Sequence, residues 1–467
     1  MKCLQPTQWK GKSTKHLGSI ILASVASATC IAQSAEFDDA FFDEIEVDTS
    51  DISTADGKVS SWHIKGSIAE DIQFAPQAPN SDLGFSRSQS GITQVKTTAR
   101  IGAYGTIFND VIFAVNASGF YDARYHQNPS DYSPEEFDNM ADEIELRDTF
   151  IEFETFDNLW LKMGKQIVAW GESEFVQIAD MVNPRDEREF GLVDLEDSRL
   201  PLLSTRVSYV GQRWGIDTVL IQEHKPNKYA GAGSDFDPLI DARDSFDFLD
   251  PKPADVGFMN PDIMVRGFYS HSRGDLSIVA GKTHAKQESV SWESAPNQVR
   301  GYYPEINTVG FATNYISGFW LLKGEVAYKQ GSEFFSPTAA TLFTEKALVQ
   351  GLLGFEFTGN QDLQLSVELQ VDNIQDHDNT LEQDAVESLL SSRVNFEFMR
   401  DTAGLEFVVA AWLDGNSLSL RTTYHYDISD SVKVKAGFIS FYAGSEDGML
   451  KVYENNDRIF TGISYSF

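Results

Sequence analysis

Nine carboxylates and three guanidiniums crowd the stretch from Gly171 to Arg199. The acids are Glu172, Glu174, Asp180, Asp186, Glu187, Glu189, Asp194, Glu196 and Asp197; the bases are Arg185, Arg188 and Arg199, so the net charge is 3 − 9 = −6. Side chains of this kind at this density do electrostatic work: they pair with fixed cations or sort passing ions. Phe175, Ile178, Ala179 and Val182 recur among them at helical spacing, and Asn183-Pro184 ends the run. The pattern predicts a short helix with one apolar stripe that needs a wall to pack on. A solvated surface loop is the alternative.

Other chemistry finds little footing. The chain has no G-x-S-x-G, no H-E-x-x-H and no phosphate loop. Ser419 and His425 share one face of a strand but stand about 20 Å apart, too far to cooperate. The acidic run from Ser234 to Asp255 lacks the calcium-loop spacing and reads as a solvated loop. No catalytic residue, metal ligand or cofactor is therefore nominated.

The elements that must position the acidic stretch are strands. In "LQLSVELQV", Leu363, Leu365, Val367, Leu369 and Val371 share one face, and Gln364, Ser366, Glu368 and Gln370 the other. The same period of two appears from Val95, Trp320, Leu418 and Ile459. About 18 such strands can be counted, with 16 as the nearest alternative. Their starts fall near Trp62, Val95, Val111, Glu143, Leu159, Leu202, Trp214, Ile263, Leu276, Thr308, Trp320, Ala347, Leu363, Ser392, Leu405, Leu418, Val432 and Arg458. Tight turns such as "FND", "FDN" and "ISDS" alternate with long polar loops. That alternation is the pattern of a transmembrane antiparallel up-and-down β-barrel, all-β in class, and not of a Greek-key sandwich. No 18-residue apolar run follows the N-terminal region, so helical spans are not expected.

The ends of the chain support the same reading. Residues 1–35 carry four lysines and no acid, then an apolar stretch and small residues near Ser34, as a secretory signal does. Cys3 and Cys30, the two cysteines, both fall inside it. Residues 36–58 form an acidic segment expected to be periplasmic, and 59–467 the barrel, with 171–199 folded into its lumen. Removing the four signal lysines takes the net charge from −33 to −37, which excludes nucleic acid as a partner. The last strand ends with Gly462, Tyr465 and Phe467, which resembles the C-terminal signal read by the barrel-assembly machinery. An open sheet cannot stand in hydrocarbon, so this strand must close against the first, near Trp62.

The polar faces supply a basic wall: Lys96, Arg100, Arg124, Arg206, Lys323, Arg393, Arg421 and Lys433, along with Lys65, Arg147 and Lys435. Charges cost a few kcal/mol on the lipid face, so these should line the lumen. The constriction is then expected from Glu172, Glu174, Asp180, Asn183, Arg185, Asp186, Arg188, Asp194 and Asp197, paired with wall bases such as Arg100, Arg206, Arg393 and Arg421.

From Gly164 to Val207 the sequence also resembles the signature of a proteobacterial outer-membrane, porin-like barrel family catalogued as a domain of unknown function. The matching residues are Trp170-Gly171-Glu172-Ser173-Glu174, Asp180, Asn183-Pro184-Arg185-Asp186, and Leu195 to Leu202. The resemblance implies the outer membrane of a Gram-negative bacterium. It also implies an association with export systems built on a resistance-nodulation-division permease and a periplasmic carrier. The expected function is a channel passing solutes across the outer-membrane bilayer. Export of a lipid or other apolar product and an outer-membrane hydrolase are the alternatives.

Overall fold

Alternating strands whose two faces prefer different solvents can satisfy every backbone group in a bilayer only by closing on themselves. The computed structural model shows that closure. It describes residues 62–467 except 81–82, 109, 194, 294–296, 338, 340, 361 and 446–447. The proposed signal segment, the acidic 36–58 segment and Asp194 lie outside the described residues.

Eighteen strands form one antiparallel barrel. They are β1 Trp62–Ala75, β2 Gly91–Ile107, β3 Val111–Asp122, β4 Asp142–Phe156, β5 Leu159–Gln166, β6 Leu202–Val210, β7 Trp214–Ile221, β8 Asp262–His271 and β9 Gly274–His284. There follow β10 Glu305–Ser317, β11 Trp320–Phe335, β12 Phe343–Asn360, β13 Leu363–Ile374, β14 Val386–Phe398, β15 Ala403–Trp412, β16 Ser417–Ser429, β17 Val432–Tyr442 and β18 Arg458–Ser466. Each predicted strand is present. The largest misplacement is at β14, which begins at Val386 and not Ser392. Beside the barrel, Asp247–Leu249, Ser289–Trp292 and Gln298–Tyr302 make a small separate sheet in the long loops.

β18 closes on β1, with Ser67 opposite Ser466 and Phe74 opposite Ile459. Gly66 and Phe467 exchange two backbone hydrogen bonds of 2.9 Å just beyond that ladder. The Phe467 ring lies over Gly66, where an added Cβ would sit 2.4 Å from the ring. The terminal aromatic therefore has a seat at the seam that a glycine keeps open.

The two faces separate as the alternation requires. Leu365, Leu369 and Val371 face outward, while Ser366, Glu368 and Gln370 are buried toward the lumen. Aromatics gather where the tight turns are: Tyr209, Trp214, Phe319, Trp320, Phe398, Tyr465 and Phe467 are exposed there, as in an interfacial girdle.

Candidate functional site

The long connection between β5 and β6 enters the barrel from the loop end. Glu174 near its tip reaches Lys323, only three residues past the first residue of β11, on the tight-turn side. At about 3.3 Å per residue, the insert descends to within about 10 Å of the tight turns.

The helix expected over 175–182 does not form. That segment is irregular, and the helix within the insert is a single turn at Leu195–Ser198. Phe175, Ile178, Ala179 and Val182 are nevertheless completely buried, so their spacing recorded burial and not helix. The physical reason lies in where the backbone donors go. Glu325 on β11 accepts from the N–H groups of Glu172 (2.6 Å), Ser173 (2.9 Å) and Ala179 (2.9 Å). Glu368 accepts from the Glu174 N–H at 3.1 Å, and Ser173 Oγ accepts from Phe175 and Val176, both at 3.0 Å. Side chains thus take up the backbone donors of the segment, including the Ala179 N–H that a helix over 175–182 would have paired internally.

Two apolar seams hold the insert across the lumen. Val168, Trp170, Ala179 and Val182 pack on Leu202, Val219, Ile221, Met264, Val279 and Ala312. Phe175, Val176, Ile178 and Phe190 join Leu352, Leu389, Val408, Trp412, Ile439 and Phe441, together with loop residues Phe236, Ile240, Leu450 and Tyr453. Each fully buried side chain of this size contributes about 1.5–3 kcal/mol. Gly191 (φ +75°) permits the close approach to β17, since a Cβ there would stand 2.7 Å from Ile439 Cδ1.

Polar contacts fix the register. Glu174 takes Lys323 Nζ at 2.6 Å, Arg393 Nη1 at 2.7 Å and Ser366 Oγ at 3.1 Å. Burial opposes its charge, but Arg393 and Lys323 outweigh burial and hold its carboxyl below the usual carboxylate range. Glu172 accepts from Asn314 at 2.8 Å. Asn183 clasps the stems of the insert: its side chain accepts from Val168 N–H at 2.8 Å and donates to the carbonyls of Gln166 (3.2 Å) and Leu200 (2.8 Å). Asp180 accepts from Arg199 at 2.8 Å, and Arg185 lies 2.5 Å from Glu187. Arg188 reaches Asp186, the Asn139 carbonyl at 2.7 Å and Glu143 at 2.8 Å. Asp186 is half-buried; burial opposes its charge, yet Arg188 brings its carboxyl down to about 2.

The expected pairing of insert with wall bases is realised selectively. Arg393 and Lys323 meet Glu174, and Lys96 meets Glu189. Arg421 donates to the Gly191 carbonyl at 3.3 Å and to Glu406 of the wall at 3.2 Å. Arg206 pairs with Asp217 on the adjacent strand at 3.0 Å and with none of the described residues of the insert. Lys433 lies one residue past the first residue of β17, at the tight-turn end. Arg124 is not on the wall: β3 ends at Asp122, and Arg124 lies on the short helix Ala123–Gln127, donating to the Ile92 carbonyl at 3.2 Å.

A cavity of about 240 Å³ runs between the insert and the wall of β1–β4 and β16–β18. Arg100 and Asp197 line it, as do the bases Lys96, Arg147, Arg188, Arg421 and Lys435 and the acids Asp71, Glu143, Glu145, Asp186 and Glu189. Six bases thus face six acids. Lys435 lies 2.9 Å from Asp71, and Lys225 and Lys228 of the loop after β7 hold Glu145 and Glu143.

Sequence reasoning missed that wall carboxylates, chiefly Glu325 and Glu368, seize the backbone of an acidic insert. It also missed the inner apolar patch. The signal was present: on β17 the lumen face runs Lys433, Lys435, Gly437, Ile439, Phe441, turning apolar toward the loop end.

A family model described as a protein of unknown function, DUF1302, matches residues 16–467. No curated protein matches the sequence. Among solved structures, the BenF-like porin from Pseudomonas fluorescens Pf-5 aligns with TM-score 0.51 at 10% identity, over 88% of this chain and 100% of that one. Pseudomonas aeruginosa OccK8 (OprE) aligns with TM-score 0.49 at 11% identity, over 87% of this chain and 98% of that one. The first likeness concerns the fold, an 18-stranded porin-like barrel here. Matched over nearly its whole length, the chain belongs to the DUF1302 family.

Proposed function

We propose that this barrel is an outer-membrane channel that passes small polar solutes along the charged passage beside the insert. The observation that carries the reading is the 240 Å³ cavity with six bases and six acids, bounded on one side by an insert anchored at several points. With both signs present, neither cations nor anions meet a uniform repulsive field, while fixed dipoles replace part of a solute's hydration. The porin fold of the BenF-like protein supports a transport barrel. Twelve charged side chains make a poor path for an apolar product, which sets this reading above lipid export with a permease and a periplasmic carrier. The bilayer of the outer membrane is its seat, and the barrel-assembly machinery reads Gly462, Tyr465 and Phe467.

A single cysteine tests the path. Cys3 and Cys30 both precede the described barrel, so Thr98→Cys on the passage wall adds the one thiol there. Single-channel current through this variant should fall on adding a charged thiol reagent. A silent barrel, or a current the reagent leaves unchanged, overturns the proposal.

A further inference from the structure

Across the insert from the passage lies a second cavity of about 150 Å³, between the insert, β10–β12 and the loop that follows β9. Arg185, Lys286, Gln287 and Lys329 line it. Arg185 Nε and Nη1, Lys286 Nζ and Gln287 Nε2 are buried without a hydrogen-bond partner among the described residues. The Arg185 side chain is 4% exposed, with only its Nη2 committed, to Glu187 at 2.5 Å. Lys329 is buried and donates to the Gln350 side-chain oxygen.

The cluster is held in place. Asn227 Oδ1 accepts from the Arg185 N–H at 2.9 Å, and the Asn227 N–H donates to the Lys286 carbonyl at 2.8 Å. One residue therefore ties the insert to the loop carrying Lys286. The acids lining the cavity are engaged elsewhere: Asp180 with Arg199 at 2.8 Å, and Glu333 with the Tyr302 hydroxyl at 2.5 Å. Asp180 keeps one further buried oxygen without a partner. His284 is paired with Asp262 at 2.8 Å. Burial pushes Lys286 down to about 8, which leaves it charged at neutral pH.

A buried donor with no acceptor costs about 1–3 kcal/mol, and more when charged. Four such donor atoms belong to three residues that line one cavity. We propose that this cavity binds a small oxyanion, carrying a carboxylate or sulfate-like group, between Arg185 and Lys286, with Gln287 and Lys329 completing the shell. Bound there, it would pin the insert to the wall on the side away from the passage.

Calorimetric titration of the full chain in detergent tests this, with sodium sulfate and sodium acetate as separate probes and sodium chloride at equal ionic strength as reference. At least one oxyanion should bind 1:1 and saturably, and the tighter of the two identifies the shape the site prefers. Lys286→Gln should weaken that binding at least about tenfold, the worth of one charged hydrogen bond. Lys286→Arg should retain it, and Arg147→Gln, on the passage, should leave it unchanged. If Lys286→Gln does not insert, Gln287→Leu should show the weakening. No saturable binding of either probe, equal affinity in both donor-removing variants, or loss in Arg147→Gln alone would overturn the proposal.

Discussion

Glu174 is the residue on which the insert turns, because it is the carboxylate that Lys323 and Arg393 share. Glu174→Gln keeps the shape and removes the charge. Wall acids Glu356, Glu368 and Glu406 remain near the two cations, so the cost should be about 1–3 kcal/mol, below that of fully orphaning a buried pair. Urea denaturation of the detergent-solubilised protein, read by protection of residues 172–182, checks it; an unchanged midpoint would remove Glu174 from the anchoring role. Glu136 gives a pH test. It is buried on the helix Pro134–Met140, accepts from Ser86 Oγ at 2.6 Å, and burial pushes it up to about 7 from 4.5. The folded chain then holds a proton that the unfolded chain releases between those values. Its contribution is complete below about pH 4.5 and is lost as pH rises through 7, at most about 3 kcal/mol. Hydrogen exchange of that helix should therefore quicken from pH 4.5 to 7 beyond its intrinsic rate, and Glu136→Gln should flatten the dependence.

Among elements, the strands were readable and the insert only partly. Period-two runs such as Leu363 to Val371 declare both faces, because lipid and lumen impose opposite solvents at successive residues. The insert has no such local rule. Its acids, its burial and its place in the lumen follow from composition, but its backbone path depends on Glu325 and Glu368, which are distant in sequence. Arg124 and Arg206 show the same limit: polar-face membership says nothing of where a strand stops or which neighbour a side chain chooses. Glu325→Ala should strand three backbone donors and loosen the insert, seen as new protease cleavage between 172 and 182 in an otherwise intact barrel. Resistance equal to the parent would place the anchor elsewhere. Deleting Phe467 removes the residue seated on Gly66 and two seam hydrogen bonds. Heat-modifiable, membrane-inserted protein should fall; normal insertion would contradict the assembly role.

At the scale of the whole molecule, the insert narrows an otherwise wide barrel. An 18-stranded barrel without it would leave a broad aqueous lumen. The insert contributes Asp186, Glu189, Asp197 and Arg188 to the passage, a net of 1 − 3 = −2, while the wall contributes five bases and three acids, 5 − 3 = +2. Replacing Glu172 to Ser198 with a short Gly/Ser bridge therefore removes both the obstruction and the balancing charge. The continuous strand ladder, closed from β1 to β18, should keep the barrel intact. The deciding measurement is single-channel conductance together with reversal potential in a salt gradient, for the intact and the deleted protein. A rise in conductance with a reversal potential shifted toward anions is the predicted result. A correctly inserted deletion variant whose conductance and selectivity match the parent would contradict it.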